Sequence, residues 1–160
     1  TSTMLVGWGI GAPLLGFVSD RLRRRRLPMM VCAAATLGLF SVLVYGPMLP
    51  GVLLFALLFL CGIFGGAMVL CFAVGRESNP MWAAGSTLGV VNTGSMAAGA
   101  IFQPLVGWLL DLAWTGGMAA GARVYDAEAF RTAFVTLPAT QAVALLVAFA
   151  LRETWCRQTD

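Results

Sequence analysis

Five long apolar runs, separated by short charged or turn-forming segments, constrain this chain more than any other feature. A helix rises ~1.5 Å per residue, so ~20 residues cover the ~30 Å hydrocarbon core of a bilayer. A soluble helix of this length normally carries one charged face, and none of these runs does. The chain is therefore predicted to be an all-α membrane protein with five transmembrane helices. They form a single transmembrane domain over residues 1–160, with spans at about 3–19, 27–46, 51–75, 81–110 and 130–151.

The residue composition favours lipid as the surroundings and argues against covalent chemistry. Hydrophobic residues make up 59% of the chain and charged residues 11%, against about 25% charged residues in a soluble domain. Histidine, the commonest general base and metal ligand, is absent. The four cysteines lack the spacing of metal-binding pairs and are interpreted as free, structural thiols. We expect no enzyme activity, no metal, no cofactor and no nucleic-acid partner, but we do expect contact with membrane lipids.

The distribution of arginine predicts how the spans are oriented. The loop at 20–26 carries five arginines, and alternation of the spans places eight of the ten arginines on its side of the membrane. Short cytoplasmic loops carry such an excess, so the N-terminus is expected outside and the C-terminus in the cytoplasm. Because Thr1 already lies in apolar sequence, the chain is expected to be a fragment that lacks an N-terminal portion.

Glycine spacing and acidic residues give local predictions. Glycines four residues apart on one helix face let helix backbones approach closely, and three pairs have this spacing: Gly7 and Gly11, Gly62 and Gly66, and Gly85 and Gly89. We interpret all three pairs as tight packing within a bundle. Asp126 or Glu128 is predicted to cap the fifth helix, and residues 114–121 are predicted to form a flexible loop.

The most informative stretch joins the first two spans. It resembles the signature loop of the major facilitator superfamily, Gly-x-x-x-Asp-Arg-x-Gly-Arg-Arg, with matches at Gly16, Asp20, Arg21, Arg24 and Arg25. Arg23 stands where that pattern has glycine, so we expect a different turn shape. The resemblance implies part of a six-helix bundle of a transporter in a bacterial inner membrane. Residues 75–80, 103–111 and 125–126 resemble bacterial members of this family at helices ten to twelve, so the five spans are expected to be helices eight to twelve. The missing N-terminal bundle would then be its main partner.

The same resemblance implies a cytoplasmic gate made of charged side chains. Arg76 and Glu77 follow the third span and lie on the same predicted side as the signature loop. We expect Asp20 to pair with Arg76, and Arg21 or Arg24 to pair with Glu77. In the alternative interpretation, the arginine run only orients the chain and contacts anionic lipids.

Polar residues within the fourth span form one stripe along a helix. Asn92 lies near the middle of the span, and 100° per residue aligns it with Ser95, Gly99 and Gln103. An unsatisfied amide in lipid costs several kcal/mol, so the stripe is expected to face protein or water. It is interpreted as part of a substrate cavity, or alternatively as a set of hydrogen bonds between packed helices. For Thr136, Thr140 and Gln141 on the last span, the packing role is favoured.

The resemblance implies a secondary active transporter that moves a small solute by alternating access, with or without a coupling proton or ion. No charged residue lies inside a span, so these five helices alone supply no proton relay. The alternative is a non-transporting membrane protein, either a receptor or an assembly subunit built on this half-bundle. Neither the solute nor the direction of transport follows from the sequence.

Overall fold

The computed structural model describes residues 2–47, 49–119 and 122–158, and most of them are helical. The elements are α1 (Ser2–Leu22), α2 (Arg26–Tyr45), α3 (Gly51–Gly65), α4 (Met68–Glu77), a 3₁₀ turn (Met81–Ala83), α5 (Ala84–Leu112), β1 (Met118–Ala119), β2 (Ala122–Arg123), α6 (Ala127–Ala133) and α7 (Thr136–Ala150). Taken across the short breaks, five helices are long and apolar enough to cross a membrane: Ser2–Leu22, Arg26–Tyr45, Gly51–Glu77, Met81–Leu112 and Ala127–Ala150. The predicted number of apolar helices is confirmed.

The third long helix is interrupted where α3 meets α4. Around the break the backbone forms bonds between residues three apart, with Ala67 N–H donating to Phe64 O at 3.1 Å and Val69 N–H to Gly66 O at 3.1 Å. Such a 3₁₀ turn is tighter than an α-helix and changes the helix direction. Gly66 lets α1 pass close to this break, because a Cβ there would lie only 2.4 Å from the backbone nitrogen of Ala12 in α1.

The fifth long helix is divided between α6 and α7 by a proline. Pro138 has no N–H to donate to Phe134 O, and Leu137 N–H takes that carbonyl instead at 3.0 Å. The helix begins at Ala127, before the predicted Phe130, because Asp126 caps it. The Asp126 carboxylate accepts a 2.8 Å hydrogen bond from Ala129 N–H, which confirms one of the two predicted caps.

Helices α1 and α3 cross in close contact through their glycines. A Cβ on Gly7 would lie 2.3 Å from Phe59 O, and a Cβ on Gly11 would lie 2.2 Å from Ile63 O. On the facing helix, a Cβ on Gly62 would lie 2.2 Å from Met4 O. No side chain larger than hydrogen fits at these points, so the predicted tight packing is confirmed for α1 and α3.

Helix α5 differs from the other long helices because the rest of the described chain buries none of its residues. It touches α4 near its start and α6 near its end. A Cβ on Gly85 or Gly89 would meet nothing within 4 Å among the described residues. The prediction that this glycine pair packs tightly against the bundle is therefore wrong for the described chain, because no described helix covers that face.

The connection between α5 and α6 has more structure than the flexible loop that was predicted. Strands β1 and β2 pair antiparallel, with Met118 opposite Arg123 and Ala119 opposite Ala122. Before them, the Trp114 indole N–H donates to Gly117 O at 2.9 Å, and Gly116 supplies a left-handed turn with φ +92°. Residues 120 and 121 of the predicted loop lie outside the described residues.

Candidate functional site

One end of the bundle gathers most of the positive charge, and we call it the arginine-rich end. It comprises the α1–α2 turn, the end of α4 and segment 151–158, which follows α7. Eight arginines and three carboxylates of the described chain lie in these parts: Arg21, Arg23, Arg24, Arg25, Arg26, Arg76, Arg152 and Arg157, with Asp20, Glu77 and Glu153. The opposite end carries two arginines and three carboxylates: Arg123 and Arg131, with Asp111, Asp126 and Glu128.

Arg25 is the centre of the contacts at the arginine-rich end. Its Nη2 and Nε lie 2.6 and 3.0 Å from Glu77 Oε1, at the end of α4. Its Nη1 lies 2.6 Å from Asp20 Oδ1 and 3.0 Å from Ser19 Oγ, both near the end of α1. Because Arg25 immediately precedes α2, one guanidinium joins the ends of α1 and α4 to the start of α2.

Burial divides these contacts into a strong pair and a weak pair. The Arg25 side chain is 8% exposed and that of Glu77 is 13% exposed, whereas that of Asp20 is 65% exposed. Water screens the Asp20 pair, so the Glu77 pair carries most of the interaction energy. Burial alone disfavours the charged guanidinium, but the hydrogen bonds to Glu77 and Asp20 outweigh it and raise the pKa of Arg25 above its usual value. The Arg25 guanidinium therefore stays protonated at any physiological pH.

The turn between α1 and α2 has a shape that places Arg25 inward. Arg23 has φ +51°, a left-handed conformation that favours glycine and strains other residues. The fully buried Ser19 hydroxyl then donates to Arg24 O at 2.7 Å, which holds the turn against the end of α1. Arg23 occupies the position at which the signature loop has glycine, and its backbone takes a conformation suited to that residue.

Segment 151–158 folds back onto the same cluster. The Glu153 carboxylate accepts from the backbone N–H groups of Arg25 and Arg26 at 2.6 and 3.2 Å, so it caps α2 from a distant part of the sequence. The Thr154 hydroxyl donates to Glu77 Oε2. The Arg24 guanidinium lies 5.3 Å from the centre of the Trp155 ring, within range of a cation–π contact.

The Cys156 thiol completes the contact between segment 151–158 and α1. It donates to Ser19 O at an S···O distance of 3.9 Å. Partial burial raises its pKa, although the charge of Arg25 acts in the opposite direction. The thiol is therefore mostly protonated near neutral pH and reacts slowly.

The structure corrects the predicted ion pairs and brings together only part of the predicted gate. Arg25 binds both carboxylates, whereas the sequence predicted Arg76 for Asp20 and Arg21 or Arg24 for Glu77. Among the described residues, Arg21 and Arg76 form no ion pair and are exposed to solvent. Arg25 replaces the predicted arginines because of the shape of the turn. Its side chain is buried between α1 and α4, whereas those of Arg21 and Arg24 are exposed.

Gly16, another residue of the predicted gate, has no close contact that requires glycine. A Cβ at this position would lie 4.0 Å from Val69 Cγ1, which is an ordinary contact distance. Glycine is therefore not required there by the packing of α1 on α4. The sequence did not identify Ser19, Glu153, Thr154 or Cys156 as part of the cluster, although Glu153 lies on the predicted side directly after the last apolar run.

The predicted polar stripe on α5 is present but faces away from the rest of the described chain. Asn92, Gly99 and Gln103 are exposed, and Ser95 is half-buried. Neither Asn92 nor Gln103 forms a hydrogen bond with any described residue. The packing alternative is thus unsupported within residues 2–47, 49–119 and 122–158.

A polar contact of the predicted packing type does occur between α2 and α7. The hydroxyl of Thr36, a residue that is 5% exposed, lies 3.2 Å from the Gln141 side-chain oxygen. The same hydroxyl donates to Cys32 O at 2.6 Å, so its single proton is shared between the Cys32 carbonyl within α2 and Gln141 Oε1 on α7. This finding agrees with the packing role favoured for Gln141.

The opposite end has a smaller polar cluster that the sequence did not predict. Asp111 Oδ1 accepts from Arg123 Nη1 and from the Tyr125 hydroxyl, each at 2.6 Å. The Arg123 guanidinium also lies 4.8 Å from the centre of the Trp114 ring. The bond to Asp111 raises the pKa of the Tyr125 phenol. These exposed contacts hold the β1–β2 connection against the end of α5.

Comparison of the chain with protein-family models, with curated proteins and with solved structures found no match.

Proposed function

We propose that this chain is part of a membrane-embedded secondary transporter, in which the Arg25 cluster acts as a gate at the cytoplasmic face. The observation that carries the proposal is the bridge from Arg25 to Glu77 and Asp20, which joins the ends of separate helices through side chains alone. Such a bridge holds rigid helices in one arrangement and releases them when its partners separate. Alternating access requires two arrangements of this kind.

Helix α5 supports a second part of the proposal, which concerns the solute pathway. It is an apolar helix with exposed amides at Asn92 and Gln103, and the described chain buries none of its residues. An amide facing hydrocarbon without a partner costs several kcal/mol. We therefore infer that a second helical bundle and a water-filled cavity cover this stripe, with Asn92, Ser95, Gly99 and Gln103 on the cavity wall. The solute is a small molecule that binds between the two bundles.

The cytoplasmic position of the gate rests on its charge. Among the described residues, eight arginines and three carboxylates lie at one end, and two arginines and three carboxylates lie at the other. This bias is the one expected of a bacterial inner-membrane protein whose arginine-rich end faces the cytoplasm. The rival function is a receptor or an assembly subunit that does not transport. It requires no second arrangement and no solute pathway along α5.

Reconstitution of the full-length protein tests the proposal. Uptake into proteoliposomes is measured for a panel of sugars, organic anions, amino acids and drugs. Removing one partner of a buried pair costs ~3–5 kcal/mol, and partial exposure of this cluster reduces the effect. We expect Arg25→Gln to change the uptake rate by about tenfold or more, since tenfold corresponds to ~1.4 kcal/mol.

Arg152→Gln is the matched control, because it removes an exposed arginine from the same end without touching the cluster. It should leave uptake within about twofold of the unmodified protein, since an isolated surface charge contributes ~1 kcal/mol at most. Equal effects of the two substitutions would overturn the gate. Failure to transport any solute of the panel would favour the receptor or assembly subunit.

The cavity wall has its own test. Asn92→Ala should weaken solute binding or slow uptake while the protein still inserts into the membrane normally. An unchanged affinity and an unchanged rate would remove Asn92 from the solute pathway. Thr140→Ala on α7 is the comparison, because the Thr140 hydroxyl donates to Leu137 O within its own helix.

A further inference from the structure

We propose that a groove at the arginine-rich end binds the phosphate group of an anionic phospholipid. The groove lies between the start of α2 and segment 151–158 and has a volume of about 280 Å³. Six residues line it: Arg24, Arg26, Leu27, Met30, Glu153 and Trp155. It is separate from the Arg25–Glu77 bridge and does not depend on transport.

The charges of the groove match a phosphodiester. Neither Arg24 nor Arg26 forms an ion pair with a carboxylate of the described residues. Both Glu153 oxygens already accept backbone N–H groups at the start of α2. Two arginines and one carboxylate leave one uncompensated positive charge. A phospholipid phosphodiester carries one negative charge, whereas a phosphate monoester carries about −1.5 to −2.

The two arginines are held in place before a ligand arrives. Arg26 Nη2 donates to Phe149 O near the end of α7, and its Nε is buried without an acceptor among the described residues. Arg24 is held over the Trp155 ring. Side chains that are already ordered lose less conformational entropy on binding an anion than free surface arginines do.

The surface beside the groove suits a lipid better than a soluble anion. Leu27 is 44% exposed, Val31 on the next turn of α2 is 54% exposed and Phe149 is 51% exposed. If α2 crosses the bilayer, its first residue Arg26 lies at the level of the head groups, with these apolar side chains towards the acyl chains. Trp155 has the amphipathic character of residues found at that level. A basic groove above an exposed apolar surface binds the head group and the upper acyl chain together.

The test uses the full-length protein in detergent and measures bound lipid by native mass spectrometry. The protein is incubated with phosphatidylglycerol, with phosphatidylcholine or with inorganic phosphate. We expect phosphatidylglycerol to bind in preference to phosphatidylcholine, and inorganic phosphate at millimolar concentration not to displace it. Arg24→Gln and Arg26→Gln should each weaken phosphatidylglycerol binding by about fivefold, the factor that corresponds to ~1 kcal/mol per arginine.

Arg152→Gln is the control for charge alone, because this arginine belongs to the same end and does not line the groove. It should change phosphatidylglycerol binding by less than about twofold. Equal losses in all three variants would mean diffuse surface attraction and would overturn the site. Equal binding of the two lipids to the unmodified protein would also overturn it, even if the variants failed to fold. Displacement by inorganic phosphate would assign the groove to a soluble anion instead of a lipid.

Discussion

Replacing Gly11 by alanine should separate α1 from α3. The new Cβ would lie 2.2 Å from Ile63 O and 2.6 Å from Ile63 Cα. Ordinary contacts between such atoms are ~3.5 Å long, so the helices would have to move apart by roughly 1 Å. The clashing atoms belong to the backbone on both sides and cannot rotate away. Overpacking of this kind typically costs ~1–3 kcal/mol.

Gly89→Ala in α5 is the matched control, because a Cβ there meets nothing within 4 Å among the described residues. Alanine favours a helix over glycine by ~1 kcal/mol in both variants. Gly89→Ala should therefore be neutral or stabilising, whereas the clash should leave Gly11→Ala less stable than the unmodified protein by up to ~2 kcal/mol. In a chain of this size that loss lowers the melting temperature by as much as roughly 4–8 °C.

Thermal unfolding in detergent micelles, followed by far-ultraviolet circular dichroism, measures the difference between Gly11→Ala and Gly89→Ala. Gly62→Ala should behave as Gly11→Ala does, because its Cβ would lie 2.2 Å from Met4 O. If Gly11→Ala and Gly89→Ala unfold at the same temperature, the close crossing of α1 and α3 is refuted. A fall in stability for Gly89→Ala alone would show that α5 is the tightly packed helix.

Three further substitutions test the two polar clusters. Glu153→Gln should release segment 151–158 from the start of α2 and so expose the Cys156 thiol, whose pKa is raised by burial. The thiol should then be alkylated up to about tenfold faster. An unchanged alkylation rate, measured by mass spectrometry, would contradict the cap that Glu153 forms on α2. The pKa of the Tyr125 phenol is raised by its bond to Asp111, so the stabilisation from that bond is full below pH ~10 and is lost as pH rises through the folded pKa. Asp111→Asn should lower the midpoint in an ultraviolet titration, and an unmoved midpoint would refute the bond. Arg23→Gly should raise the free energy of unfolding by ~0.5–1 kcal/mol, because relief of ~1–2 kcal/mol of left-handed strain exceeds the entropic cost of glycine; a loss of stability in denaturant titration would contradict the strain.

The long helices were predictable because one physical requirement sets them. An apolar run must be helical to satisfy its own backbone in hydrocarbon, and its length is set by the bilayer. The breaks at Gly66 and Pro138 were not predicted, since a glycine or proline inside an apolar helix is common and only its neighbours decide the outcome. At Gly66 the neighbour that leaves no room for a side chain is the backbone of α1.

The arginine cluster was predicted as a region but not as a set of partners. Arg21, Arg24 and Arg25 are chemically equivalent in the sequence, and only the left-handed residue in the turn determines which one points between α1 and α4. Glu153 was missed for a different reason. It lies 128 positions from the residue whose N–H it accepts most closely, and no local pattern encodes a contact over that separation.

The cap that Glu153 provides for α2 also affects how the protein is made. A ribosome synthesises α2 early and residue 153 only after all five long helices, so the first N–H groups of α2 have no such carboxylate for most of translation. The contacts that join α1, α2 and α4 at the arginine-rich end are therefore completed only near the end of synthesis. A chain interrupted before this segment would lack both the carboxylate that caps α2 and the Thr154 hydroxyl that donates to Glu77.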